Sequence, residues 1–495
     1  MTTRTLSTFN RSKGDVTMNP GQMLAQNYSP FNRLTEEQST LMYQGSLKIL
    51  ERTGVRLFSQ QALDLLSDAG AEVSEGNRVR ISPELVEWAV SKAPKQVTLY
   101  NRSGQPVMPV EGRRSFFGTG SDCLNIIDHR TWERRKPLLQ DVEEGTIVCD
   151  ALENIDFVMS MFLPSDVDKE LADRYQMEVM LNHTTKPIVF VTYEISGCVD
   201  NIKMAEAIAG SAQALREKPF VACYVNVTTA LRHNHDALEK LLFLSEKGIP
   251  FFYIPGAMAG AAGPVTVAGS NAMRMAGALA GLVIAQLNNQ GAPVFIPGWG
   301  ALALDMRTTV MSYTGPDHHG VTQSIAHHLG LPMFAKAGVS DAKLIDQQAG
   351  IEAALTLLYD AVVGSQIVHD VGYLESGMTS ALTQIVICDE ILTWIKRALK
   401  PVEINDETLA LDLIDEVGPD GQYLNTQHTL RHFREQWHPQ LFDRNNYQGW
   451  EKKGSKTLAQ RAAERVEEIL ASHKPEKLDQ HVQETIRSYI ENPTK

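Results

Sequence analysis

The chain has 495 residues, 43% hydrophobic and 21% charged, with a formal net charge of −13. That acidity argues against a nucleic-acid role, which needs a cationic face to replace phosphate counterions. No uninterrupted apolar run approaches the ~18 residues of a membrane span.

The five cysteines, Cys123, Cys149, Cys198, Cys223 and Cys388, form no CxxC pair and are odd in number. This pattern fits reduced thiols and argues against structural zinc. Residues 1–33 are polar, lack the apolar core of an export signal, and read as a flexible N-terminal arm. Residues 34–110 read as an N-terminal helical layer. Thr35 and Gln38 have capping-box spacing ahead of Leu41, Leu47, Ile49 and Leu50. Further helices are expected over 60–69 and 83–93, the second capped by Ser82 with Pro83 in its first turn, where a missing N–H costs nothing.

Residues 111–400 repeat one phrase. KPIVFVTYE at Lys186, KPFVACYVNV at Lys218, GIPFFYIPG at Gly248, GAPVFIPGWG at Gly291 and GLPMFAKAG at Gly330 each place a Gly or Lys and a Pro before a β-rich apolar run. The repeats come at intervals of about 30 to 43 residues, with Ala- and Leu-rich segments of helical length between them. SFFGTG near Ser115, IDFVMSMFLP near Ile155 and SQIVHDVGYLE near Ser365 bring the strands to eight, the number for an α/β fold of the (β/α)8 TIM-barrel type. Residues 401–495 read as a C-terminal helical extension ending in TLAQRAAERVEEILASH, which either covers the barrel's side or joins subunits.

In such a barrel the chemistry lies just after each strand. Phe117, Tyr193, Tyr253, Trp299 and Tyr373 occupy such places, and aromatic faces at a barrel mouth suit a quaternary ammonium, which donates no hydrogen bonds. Trp299 leads this set because Gly298 and Gly300 permit close backbone approach. Glu194 and Glu375 are placed to balance a cation, and Glu375 is the carboxylate assigned to catalysis. Arg307 and His318 are the candidate grips for a substrate carboxylate, a surface pair with Asp305 being the equal alternative for Arg307. Asp341 reads as a turn or helix cap, and Lys343 as its neighbour or a surface lysine.

His319, Gln323 and His327 share a helical face, but no Cys or acidic ligand stands at a recognisable offset, and no metal site is expected. The glycine pairs of GTGSDC and GWGALA lack the strand, helix and distal acid of a dinucleotide site, so NAD and S-adenosylmethionine are rejected.

The segment GLPMFAKAGVSDAKLIDQQAG at 330–350, the segment GYLESGMTSALTQIVICDEI at 372–391 and ALDLLSDAGAEV at 62–73 resemble the trimethylamine methyltransferase family. The resemblance runs from about residue 34 to near the C-terminus, and it implies the same barrel fold. It also implies methyl transfer from an amine to the Co(I) of a cognate corrinoid protein, without S-adenosylmethionine. In the trimethylamine enzyme pyrrolysine stands where this chain has Val339, so Val339 is read as a wall and not a catalyst. A quaternary amine already bears a positive nitrogen and leaves as a neutral tertiary amine without a general acid. Glycine betaine is the leading substrate, ahead of proline betaine, carnitine and choline.

Asp341 and Lys343 become candidates for contact with the corrinoid, which resides on the partner because this chain has no DxHxxG motif. A cytoplasmic, anoxic setting and a homo-oligomer are expected. The competing readings are a metal-dependent barrel enzyme using Glu375 and a histidine, and a non-catalytic quaternary-amine binder.

Overall fold

In a computed structural model that describes residues 31–494, the recurring apolar phrase becomes one curled, seven-stranded parallel sheet. Its strands are β1 (Phe116–Phe117), β2 (Ile188–Val191), β3 (Val221–Val227), β4 (Phe251–Pro255), β5 (Val294–Pro297), β6 (Met333–Lys336) and β7 (Ile367–His369). The spatial order is β1-β7-β6-β5-β4-β3-β2. The Ile155 segment, expected as a full strand, makes only isolated parallel bridges, Gly118 with Phe157, Val158 with Ile188 and Cys123 with Phe162. It therefore touches both edge strands of the sheet.

Side chains alternate across these strands with period two. Phe116, Val189, Ala222, Phe252, Phe295, Phe334 and Ile367 join one inner cluster, where the Phe252 ring lies 4.7 Å from Phe295 and 4.1 Å from Phe334. The intervening residues, among them Phe117, Cys223, Tyr253 and Met333, belong to the larger cluster shared with the surrounding helices. Packed phenylalanines thus fill the sheet's concave interior, as the side-chain layers of a barrel do.

The layer over 34–110 is not purely helical. Thr35 caps helix Glu36–Arg52 with the expected capping box, and Ser82 caps Pro83–Lys92, but short strands lie between the helices. Most consequential is the hairpin Val97–Tyr100/Pro106–Val110, whose Val97, Leu99, Met108 and Val110 enter the inner cluster. Tyr100 N–H donates to Pro219 O and Arg102 N–H to Thr185 O, both residues leading into strands. The hairpin therefore plugs the N-terminal end of the sheet. The proposed arm lies outside the described residues except at its last positions.

Helix Val267–Asn288 is long and apolar enough on average to cross a membrane, although Ser270, Asn271, Arg274 and Gln286 interrupt its apolar run, and 78% of its most apolar window is buried. It packs on Glu36–Arg52, Pro83–Lys92 and His235–Lys247 as a core helix.

Helix Ala172–His183 carries a buried ionic knot. Arg174 Nε lies 2.8 Å from Asp200 Oδ2 and its Nη1 3.2 Å from Asp173 Oδ1, while Thr494 N–H donates to Asp200 at 3.0 Å. The C-terminal extension contains the expected helix, Leu458–Ser472, with Thr457 and Gln460 forming its capping box. That helix is not the last. Gln480–Glu491 follows, burying Ile486 and Ile490 against helices Ala172–His183 and Ile195–Ala209.

Candidate functional site

The period-two phase that sends Ala222, Phe334 and Ile367 inward also sends Tyr224, Lys336 and His369 inward, one layer closer to the strands' C-terminal ends. Trp299, just past β5, joins them. Its ring lies 5.1 Å from His369 and 6.0 Å from Phe334, while Phe334 and His369 stack at 4.0 Å. Tyr224 faces the same group, 5.5 Å from Phe334 and 6.1 Å from His369. Beside this layer a small pocket is lined by Trp299, Gly300, Tyr313, His318, His319 and Lys336.

Buried charge distinguishes this mouth. Lys336 is 3% exposed; its Nζ donates to Tyr313 O at 2.9 Å and sits 3.6 Å from the Tyr313 ring centroid. Burial pulls its ammonium below the ordinary lysine range, opposed by Asp370 and Asp341. Arg274, the single charged residue of helix Val267–Asn288, is 2% exposed. Its guanidinium stacks 4.3 Å from the Trp299 ring centroid and Nη1 donates to Gly300 O at 2.8 Å. Nε–H finds no acceptor among the described residues, and burial draws this group down to about 10.

His369 Nδ1 lies 2.5 Å from Ala335 O, and a carbonyl only accepts, so Nδ1 carries the proton. Burial draws His369 down to about 3, keeping the ring neutral. Nε2 is then an acceptor facing Asp370 Oδ1 at 3.4 Å. Burial pushes the Asp370 carboxyl upward, against the pull of Lys336. Its protonated form suits Nε2, and its ionised form supplies a counter-charge for a cation. Asp122, in the loop after β1, is pushed up to about 6 by burial despite a bond from Gln176. Both acids hold left-handed backbone, φ 61° at Asp122 and 68° at Asp370, a strained choice for residues with a Cβ.

The sequence candidates divide. Trp299 and His318 line the pocket. Asn271 Nδ2 donates to His318 Nδ1 at 3.0 Å, which leaves Nε2–H as that ring's donor. Gly300 is required by close approach, though to protein: a Cβ there would sit 2.2 Å from His318 O.

Phe117 and Tyr253 are corrections. Both face the helices, and Tyr253 is fully buried with its hydroxyl 2.6 Å from His233 Nδ1. Tyr373 is likewise buried and donates to Ser121 O at 2.5 Å. Tyr193 and Glu194 are exposed beyond β2. Arg307 lies on an exposed hairpin, its side chain 87% exposed and paired with Asp305 at 2.9 Å. Glu375 is committed to Arg134 at 2.9 and 3.1 Å.

Asp341 accepts from Tyr313 N, Thr314 Oγ1 and Ser376 Oγ at 3.0, 2.8 and 2.8 Å, tying two mouth loops together. Lys343 is exposed and donates to Asp341 O. Val339 is fully buried in the helix-facing core, behind a turn at Gly338, so it does not form an open wall. His319 and His327 bond separately, to Asp360 Oδ2 and Val363 O.

Three comparisons bear on this site. A family model described as trimethylamine methyltransferase (MTTB) matches residues 2–495. Trimethylamine methyltransferase MttB of Desulfitobacterium hafniense is 32% identical over 92% of this chain and 93% of its own length. A glycine betaine methyltransferase of the same species is 29% identical over 95% of this chain and 98% of its own length. A solved structure, a hydroxylamine complex of MtmB, is similar with TM-score 0.50 and 12% identity over 94% of this chain and 88% of that one. That likeness concerns the fold alone.

Proposed function

The chain belongs to the trimethylamine methyltransferase family, and from that premise we propose that it demethylates a quaternary amine, glycine betaine before proline betaine, carnitine or choline. The acceptor is the Co(I) of a cognate corrinoid protein, a co-substrate that this chain does not hold. The C–N bond breaks with its electron pair returning to nitrogen and the methyl carbon bonds to the acceptor, so a neutral tertiary amine, dimethylglycine from glycine betaine, leaves without a proton. The fold we infer is the closed eight-stranded barrel, supported by the two bridges that connect the Phe157–Val158 segment to both edge strands.

The observation that carries this reading is the placing of the Tyr224 and Trp299 rings around His369 at a mouth that also holds buried Asp370 and half-buried Asp122, both of whose charges act on Tyr224. Ring faces attract a quaternary ammonium by ~0.5 to 2 kcal/mol each. Because Arg274 covers one face of Trp299, the cation is directed toward Tyr224 and Asp370. Val339, where the resemblance puts pyrrolysine, offers no electrophile to activate a neutral amine, and a quaternary nitrogen needs none. The chain's work is then to desolvate and orient.

The mouth also suits a docked carrier. Leu124, Val265, Met306, Val310, Leu344 and Met378 are exposed on loops that follow β1, β4, β5, β6 and β7, forming an apolar rim of the kind that marks interaction surfaces. The deciding experiment is anoxic spectroscopy of Co(I) cobalamin with this protein and each amine in turn, then with the cognate corrinoid protein. Loss of the Co(I) spectrum with a quaternary amine and not with trimethylamine is expected; no change with any amine and either acceptor refutes the reading.

A further inference from the structure

Among the described residues five cations lie deep in this fold, Arg174, Lys186, Lys240, Arg274 and Lys336, and the first three are satisfied. Arg174 has two carboxylates. Lys186 donates to the carbonyls of Cys149, Leu152 and Ile155 at 2.7, 2.6 and 2.6 Å. Lys240 caps Thr192 O at 2.7 Å and reaches Tyr193 O at 3.4 Å. Arg274 is not, holding one carbonyl and a ring face with Nε–H unbonded; Lys396 Nζ, also buried without a hydrogen bond among the described residues, differs in having the charges of Asp156 and Asp389 near it.

Lys336 has a single carbonyl; burial lowers its ammonium and the nearby Arg274 charge lowers it further, while Arg274 is lowered by burial. Neither has a carboxylate within ion-pair distance among the described residues. Asp341, on the same side, is already filled by donors from Tyr313, Thr314 and Ser376. Asp370 lies 3.4 Å from His369 Nε2, and its charge favours the Lys336 ammonium without reaching ion-pair distance.

Two buried, like-charged groups at the same mouth are costly without an anion, because desolvation removes the water that stabilised each. Both border the pocket of Trp299: Lys336 lines it, and Arg274 stacks on Trp299 and bonds to Gly300 O. A guanidinium with free N–H donors and an ammonium form a strong receptor for a carboxylate. The acids of the mouth, Asp370 and Asp122, follow the neighbouring strands β7 and β1, so the electrostatic field runs across the opening.

We propose that Arg274 and Lys336 form a carboxylate subsite, and that the quaternary amine taken by this pocket carries its own carboxylate. A betaine fits, with its ammonium toward Tyr224 and Asp370 and its carboxylate toward Arg274 and Lys336. Choline, with a hydroxyl in place of the carboxylate, does not. This assignment rests on the quaternary-amine reading above and replaces Arg307 as the grip.

The test is calorimetric titration of the full chain with glycine betaine, proline betaine, carnitine and choline, for the wild type, Arg274→Gln, Arg274→Lys, Lys336→Gln and Lys336→Arg. At least one betaine should bind about 10-fold or more tighter than choline. Each glutamine variant should lose about 10- to 100-fold for that betaine, with partial recovery in the charge-conserving variants and choline affinity held within about 3-fold. Thermal melts establish that the variants are folded.

Folded glutamine variants with wild-type betaine affinity overturn the assignment, as does choline binding as tightly as every betaine, or no binding by any of the four. Methyl transfer from choline alone leaves the quaternary-amine reading standing and sinks the subsite. Betaine binding that depends on Arg274 and Lys336, without methyl transfer to any corrinoid, does the reverse.

Discussion

Arg174 and Arg274 are equally hidden, at 3% and 2% exposure, yet their surroundings differ in kind. Arg174 is locked between Asp173 and Asp200, and through Asp200 to the C-terminal Thr494. Even the backbone accommodates the knot: a Cβ at Gly197 would lie 2.1 Å from Asp173 Oδ2. Arg274 leans on an indole and a carbonyl. A buried charge that the chain itself neutralises serves architecture; one held open by apolar packing is available to a ligand.

The largest expected effect breaks the first half of this contrast. Arg174→Ala leaves Asp173 and Asp200 buried without their partner and should cost about 3 to 5 kcal/mol, read by denaturant unfolding. Arg274→Leu strands no carboxylate and should move stability by no more than about 1 kcal/mol while abolishing tight betaine binding. Equal destabilisation by the two changes would erase the distinction. Trp299→Leu comes next, raising the KM for the quaternary amine about 2- to 30-fold through loss of one ring face.

The smallest effect is electrostatic and graded. Asp122, pushed up to about 6 by burial, is neutral below that pH and ionised above it. Quaternary-ammonium affinity should therefore rise as pH climbs from 5 to 7, and Asp122→Asn should flatten the profile. The sign for ligand-free stability is opposite. Because the folded carboxyl holds its proton more tightly than the unfolded one, its contribution is full below the ordinary carboxylate range and is lost as pH rises through about 6. Melting curves of the wild type and Asp122→Asn across that window check it.

Much of the sheet was legible because strand-length apolar runs recur with their own punctuation, and the caps at Thr35 and Ser82 were legible because a cap is a local contract between neighbours. The site was harder. Looking only just beyond each strand selected Tyr253 and Phe117, whereas alternation places Tyr224, two residues beyond inward-facing Ala222, at the mouth. The same count from Phe334 and Ile367 identifies Lys336 and His369. A lysine inside an apolar strand, and a lone arginine in an alanine-rich helix, were the available signals for Lys336 and Arg274. The surface pairing of Arg307 with Asp305, two residues away, was one of its two readings and is the one found; the partner of Glu375, Arg134, lies far away in sequence, where no spacing encodes it. Helix Gln480–Glu491 escaped because its buried residues, Ile486 and Ile490, are few and become a face only against helices far away in sequence.

The hairpin that stoppers the N-terminal end of the sheet sets a kinetic order for the proposed reaction. With that end sealed by Val97, Leu99, Met108 and Val110, the amine and the demethylated product share one doorway with the corrinoid carrier. The amine must enter before the carrier seats, and the product must wait for it to depart. Turnover is then a compulsory-order queue, with excess carrier protein inhibiting by closing the door on an empty room.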